Sequence, residues 1–177
     1  MLILVTGGAA SGKSEYAERL AVEHPGAKLW YAATMLHDPD DRETTLRIEK
    51  HRQRRAGAGF ETIELPCGIE RLIDIVHPGD TVLLEDLSNL LANEMFMPGR
   101  PAFREETITA PLLRLHAEGV TVIIVGNRTA EDLPPDAGPE ISRYVTKLQK
   151  IQQELAASAD RVAELVCGIP LTIRGNR

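Results

Sequence analysis

The sequence predicts an α/β protein with a mostly parallel sheet flanked by helices, and three observations carry that reading. Short apolar runs such as Leu2-Ile3-Leu4-Val5 and Val120-Thr121-Val122-Ile123-Ile124-Val125 have the length and β-branched content of buried strands. Helical segments separate the strand-like runs, and strands joined by helical crossovers form right-handed, parallel units. Between the first run and the first helical segment stands Gly7-Gly8-Ala9-Ala10-Ser11-Gly12-Lys13-Ser14, with the Gly-x4-Gly-Lys-Ser spacing of a phosphate-binding P-loop. The 177 residues, 43% hydrophobic and 26% charged, suit one such P-loop NTPase-like domain spanning residues 1–177.

The loop's residue types follow from its chemistry. Glycines let the chain wind tightly enough for successive backbone N–H groups to face one anion, and the new helix presents its positive N-terminus there. Residues 7 to 14 are therefore candidate nucleotide-binding positions. Lys13 can reach the outer phosphates, and Ser14 can offer its hydroxyl to Mg2+. A glycine-rich turn that starts a helix and binds nothing is the alternative. Spacing and flanking elements together favour phosphate binding.

Taken in order, Glu15 to Ala21 reads as the first helix and Lys28 to Thr34 as a second strand after the Pro25-Gly26 turn. In an open parallel sheet ligands bind beyond the carboxyl ends of the strands, so Thr34 is a candidate nucleotide neighbour, with a plain strand-ending hydroxyl as the alternative. A charged helix is expected over 42–55, acidic at its start and basic toward its end. Arg47, His51 and Arg55 share one face at i, i+4, i+8, with Arg52 and Arg54 beside them. That face is either a cationic site holding one titratable imidazole or a solvated basic helix end.

Phe60 to Leu65 reads as a strand that Pro66 ends, followed by a short helix over 69–76. Asp80-Thr81-Val82-Leu83-Leu84-Glu85-Asp86 is an apolar run ending in acid, the pattern of a buried strand carrying a metal-binding carboxylate. Glu85 is the candidate Mg2+ residue, directly or through water, and Asp86 the candidate cap of the helix expected over 87–97. Helices are also expected over 105–118 and 139–157, and 161–166 with 169–173 reads as a strand or hairpin at the sheet edge, where Pro170 is tolerated.

Composition narrows the function. A net charge of -6 argues against broad binding to nucleic acid or anionic membranes. No apolar stretch approaches membrane-spanning length, and the chain enters a core strand without a leader, so a cytoplasmic location without membrane insertion is expected. Cys67 and Cys167 form no metal or disulfide pattern and read as reduced, partly buried thiols. His24, His37, His77 and His116 lack any partner pattern and read as surface or structural residues.

With these residues in place, the chain resembles, over nearly its full length, the bifunctional adenosylcobinamide kinase and adenosylcobinamide-phosphate guanylyltransferase family of cobalamin biosynthesis. The resemblance is carried by Ile3 to Ala9 entering the P-loop, Tyr31-Ala32-Ala33-Thr34, Asp41 and Glu43 followed by Arg47-Ile48, and His51-Arg52-Gln53-Arg54-Arg55. It continues in Glu64, in Leu84-Glu85-Asp86-Leu87-Ser88 with Asn93, and in Leu165 to Leu171. The resemblance implies a kinase step that phosphorylates the aminopropanol hydroxyl of adenosylcobinamide, and a transferase step that moves GMP from GTP to that phosphate through a guanylylated histidine. It implies His51 as that histidine and Lys13 as the second catalytic residue. Thr34, Arg52, Arg54, Arg55, Glu64 and Glu85 then join residues 7–14 in the nucleotide site, with Mg2+ at Ser14 and Glu85. It further implies GTP as nucleotide, with ATP possible for the kinase step, a RecA-like sheet, and a homotrimer whose nucleotide site is completed at a subunit boundary.

The chain departs from the family pattern at several places. Ala10 stands where many relatives carry a basic residue, Asn127-Arg128-Thr129-Ala130 replaces Asn-Glu-Val-Gly, and Val145-Thr146 and Gln152-Gln153 replace Arg-Asp and Asn-Gln pairs. Two other functions remain open on the residues alone. One is a P-loop kinase of another small metabolite, and the other is a nucleotide-binding assembly or switch protein without transferase activity.

Overall fold

The structure, a computed structural model, describes residues 1–36, 49, 53, 57–128 and 138–175. Seven strands form one sheet in the order β3-β2-β4-β5-β1-β6-β7. They are β1 (Leu2–Gly7), β2 (Leu29–Ala33), β3 (Phe60–Glu64), β4 (Thr81–Glu85), β5 (Thr121–Asn127), β6 (Arg161–Val166) and β7 (Ile169–Arg174). All neighbours are parallel except β6 and β7, which form an antiparallel hairpin. The expected P-loop NTPase-like, mostly parallel α/β sheet is therefore present. The alternative of strand or hairpin at the edge resolves into both, since β6 pairs with β1 on one side while β7 closes the edge. Pro170 lies in that last strand, where a missing N–H breaks no interior ladder.

Alternation along the strands buries both faces. Leu2 and Leu4 of β1 pack with α2 (Leu87–Phe96), α3 (Glu106–Ala117) and α4 (Pro139–Ser158), while Ile3 and Val5 pack with Tyr16, Ala17 and Leu20 of α1 (Lys13–Glu23). Each such fully buried aliphatic side chain contributes about 1.5 to 3 kcal/mol relative to exposure. The segment expected as a short helix over 69–76 is a 3-10 helix, Ile69–Asp74, started by Gly68 in the left-handed region. Its Ile69 and Leu72 are fully buried, so two anchoring side chains, rather than a full helical stripe, fix this connection. Asp80 accepts hydrogen bonds from the Lys28 and His77 backbone N–H groups and from the Trp30 indole, which aligns the amino ends of β2 and β4. Most of the helix expected over 42–55 lies outside the described residues; Glu49 and Gln53 within it are helical, and both are exposed.

One smaller expectation is adjusted. Cys67 is half-buried, but Cys167 is exposed, because it occupies the β6–β7 turn with φ of 49° and lies off the sheet's packed layers. Among the described residues, no helix is long and apolar enough to cross a membrane.

Candidate active site

The P-loop leaves β1 at Gly7, and local sterics explain why a glycine stands there. A Cβ at Gly7 would lie 2.5 Å from Ser11 Oγ and 2.8 Å from Leu165 O, closer than real Cβ atoms approach such neighbours. Gly12, with φ of 88°, takes the left-handed conformation that turns the loop into α1. No side chain caps α1. Its first-turn N–H groups therefore remain directed into the loop, where a phosphate can accept from them. A Cβ at Gly8 would meet nothing within 4 Å, and Ala10 holds a left-handed φ of 54° beside Ala9 at the exposed crest of the loop.

Neighbouring elements brace this loop from both sides. Arg128 N donates to Gly7 O at 3.1 Å from the end of β5, and Gly168 N donates to Ser11 O at 3.0 Å from the β6–β7 turn. Ser11 Oγ is buried without a hydrogen-bond partner. Lys13 is buried, only 8% exposed, and its Nζ donates to Gly8 O at 2.9 Å, folded back over its own loop. An ammonium held inside the loop curve is in reach of the outer phosphates of a nucleotide seated there.

Ser14 and Glu85 meet although they are 71 residues apart in sequence: Ser14 Oγ donates to Glu85 Oε1 at 2.6 Å. The sheet order explains how, since β5 intervenes between β1 and β4 and α1 crosses over β5 to reach β4. Glu85 Oε2 is buried and has no hydrogen-bond partner. An orphaned carboxylate oxygen beside a serine hydroxyl is a hard-oxygen donor pair that fits Mg2+, with phosphates and water completing the shell. Among the described residues no trio of His, Cys, Asp and Glu gathers as a metal cage.

Burial pushes the Glu85 carboxyl up from the ordinary 4.5 to about 7, with like charge from Asp86 and Glu18 adding to the rise and the Ser14 hydroxyl and Lys13 opposing it. Because its folded pKa lies above the unfolded one, Glu85 contributes stability that is complete below pH 4.5 and is lost as pH rises through about 7. Glu85→Gln removes that loss. In nucleotide-free protein the variant should gain about 2 to 3 kcal/mol on wild type between pH 5 and pH 8. Urea unfolding at the two pH values checks this, and an equal decline in both proteins would show that Glu85 is not the titrating group.

Asp86 caps α2 as expected, accepting from Asn89 N at 2.7 Å. Burial raises its carboxyl, opposed chiefly by the hydrogen bond from Asn89 and the charge of Lys13. Thr34 lies one residue beyond β2 and is fully buried, with its hydroxyl engaged by the Glu85-Asp86 backbone. Glu64 is exposed at the end of β3, in register with Ala33, which is in register with Glu85 on the other side. Two strand spacings separate the backbone at the two glutamates by about 10 Å, too far for both carboxylates to hold one small ion. His51, Arg52, Arg54 and Arg55, with Arg47, lie outside the described residues.

Asn93 is the residue whose contribution sequence reasoning missed, although it is among the residues carrying the resemblance. Its carboxamide donates to Thr34 O and Pro66 O, each at 2.8 Å, tying two strand ends to α2. Gln152 likewise reaches from α4 to Asn127 O at 3.1 Å, filling the space over Gly126. An asparagine one turn from the end of an amphipathic helix carries no local signal of such a role.

A P-loop braced at both ends, a buried lysine, and a serine paired with a strand-end carboxylate define an α/β protein of the P-loop nucleotide-binding class. The chain belongs to the CobU family, cobinamide kinase / cobinamide phosphate guanyltransferase, whose pattern matches residues 3–173. It is 31% identical over 188 residues to the bifunctional adenosylcobalamin biosynthesis protein CobU of Escherichia coli (strain K12), covering 98% of this chain and 100% of that one. It is 32% identical over 172 residues to the bifunctional adenosylcobalamin biosynthesis protein CobP of Pseudomonas aeruginosa, covering 97% and 96%. A solved structure from Pyrococcus horikoshii OT3, Project ID PH0250, matches with a TM-score of 0.53 at 12% identity, covering 99% of this chain and 87% of that one, a likeness of fold.

Proposed function

We propose that the whole chain, residues 1–177, works as one domain that phosphorylates adenosylcobinamide and then transfers GMP from GTP to the phosphorylated product. The observation that supports it most is the family match over residues 3–173 combined with the Ser14–Glu85 pair at the P-loop. In the kinase step the acceptor hydroxyl oxygen attacks the γ-phosphorus, and the bond to the nucleoside diphosphate breaks. Lys13 and the loop N–H groups hold the charge that accumulates on the transferred and leaving oxygens. Ser14 and Glu85 would hold Mg2+, which neutralises phosphate charge when bound.

In the transferase step a neutral nitrogen of His51 attacks the α-phosphorus of GTP, the bond to the β-phosphate oxygen breaks, and pyrophosphate leaves. A phosphate oxygen of the acceptor then displaces His51, giving adenosylcobinamide-GDP and returning the free imidazole. Arg52, Arg54 and Arg55 follow or closely succeed His51 in the chain, and guanidinium groups suit the departing pyrophosphate through forked hydrogen bonds. Glu64, at the carboxyl end of β3, borders the same nucleotide, while Thr34, fully buried with its hydroxyl engaged by the backbone of residues 85 and 86, stands behind the site as a support rather than a contact. Incubation with α-labelled GTP tests the reading: label retained after denaturation, stable to alkali and lost in acid, is expected of a phosphoramidate. A protein that binds GTP but retains no label would be a P-loop kinase or a switch protein instead.

We further propose a homotrimer in the cytoplasm, with the nucleotide site completed between subunits, on the strength of the family resemblance. Sedimentation at micromolar concentration should give three times the 19.4 kDa chain mass. A monomer with and without GTP would remove this part of the proposal.

A further inference from the structure

Asn93 and Thr34 form a relay that ends on Glu85. Asn93 Nδ2 donates to Thr34 O and to Pro66 O, so one carboxamide on α2 holds the chain just past β2 and just past β3. Glu94, the next residue, grips the same region: its Oε1 accepts from Gly68 N at 2.7 Å, and its Oε2 accepts from Arg100 Nε at 2.9 Å. Thr34 then passes the constraint on. Its Oγ1 accepts from Asp86 N at 2.7 Å and lies 2.9 Å from Glu85 O and 2.8 Å from Asp86 O, while Thr34 N donates to Glu85 O at 3.1 Å. One hydroxyl has one proton and two acceptor lone pairs. Most of that capacity is spent on the backbone at residues 85 and 86, which leaves little for a nucleotide.

We propose that Asn93 and Thr34 are positioning residues that fix the Glu85 carboxylate against Ser14. The proposal rests on the preceding reading of Ser14 and Glu85 as the cation site and deepens it by naming what holds that site. Physical need supports it: β4 does not adjoin β1, and Ser14 reaches Glu85 because α1 crosses β5 to lie against β4, so the pair depends on how the end of β4 is held. A hard cation binds tightly only where its donors are held within a fraction of an ångström. Outer partners that orient metal-ligating carboxylates typically change metal affinity by about 10- to 100-fold when removed.

The test uses Mn2+ as a paramagnetic probe titrated into the GTP-bound full chain, followed by electron paramagnetic resonance, with GTP affinity measured separately in EDTA. Thr34→Val keeps the shape of the side chain but strips the hydroxyl, Thr34→Ser restores it, and Asn93→Leu removes both carboxamide bonds. Leu90→Ala, a fully buried position on the same helix, serves as a packing control. The expected result is Mn2+ binding weakened about tenfold or more in Thr34→Val and Asn93→Leu. Thr34→Ser and Leu90→Ala should bind Mn2+ near the wild-type level, and metal-free GTP affinity should be unchanged throughout. If Thr34→Val does not fold, Asn93→Leu against Leu90→Ala at matched stability decides the matter. Wild-type Mn2+ affinity in a folded Asn93→Leu or Thr34→Val protein, or an equal loss in Leu90→Ala, overturns the positioning role alone. A wild type that holds GTP yet takes no Mn2+ overturns the cation site and this proposal together.

Discussion

His51→Ala protein exposed to GTP and Mg2+ should show no mass gain of one GMP, while the wild type should. The substitution removes the only histidine that combines a family-matched position with Arg47, Arg52, Arg54 and Arg55 nearby in the chain. Attack on phosphorus needs an unprotonated nitrogen, and nearby guanidinium charge penalises the imidazolium while favouring phosphate. His51→Asn should fail equally, because an amide can hydrogen-bond in the same place but cannot form the phosphoramidate. GTP affinity should stay nearly intact in both variants, since Lys13, Ser14 and the loop N–H groups are untouched. Phosphorylation of adenosylcobinamide should survive as well. Intact-mass analysis and peptide mapping check the result, and an adduct that persists in either variant would reassign His51 to phosphate binding.

Lys13→Ala should lower the rate of phosphoryl transfer by about two to three decades, equivalent to about 2 to 4 kcal/mol of transition-state stabilisation. The size follows from burial: Lys13 is 8% exposed and already held inside the loop by Gly8 O, so its charge acts in a site that solvent screens weakly. Triphosphate binding should weaken as well, and Lys13→Arg should restore little, because a planar fork does not fit a space shaped for a compact ammonium. Turnover and nucleotide affinity unchanged in Lys13→Ala would remove the P-loop assignment. Neither outcome depends on His51, so the His51 variants isolate the covalent transferase step, whereas Lys13→Ala tests the phosphate loop on which both steps draw.

Adjacency in the chain is what makes parts of this protein readable from its residues alone. Eight consecutive residues, Gly7 to Ser14, make the phosphate-binding loop, and their conformational demands are local, so spacing and residue type are enough to locate it. The strands are legible for a similar reason, since burial on both faces writes itself as short β-branched runs, and Asp86 is legible as a cap because capping acts over three residues. The tertiary structure alone decided the rest. That Ser14 meets Glu85 depends on β5 entering between β1 and β4, a matter of strand order that no local pattern encodes. The raised carboxyl of Glu85 comes first from burial by surrounding elements, which is a property of packing rather than of the residue. Thr34 is readable as a residue at the ligand edge of the sheet, but its hydroxyl serves the backbone of residues 85 and 86, and Asn93 binds two strand ends 59 and 27 residues away. Hydrogen bonds over such separations exist only once the sheet has brought their partners together, because their geometry is a product of the fold and leaves no period or spacing in the chain.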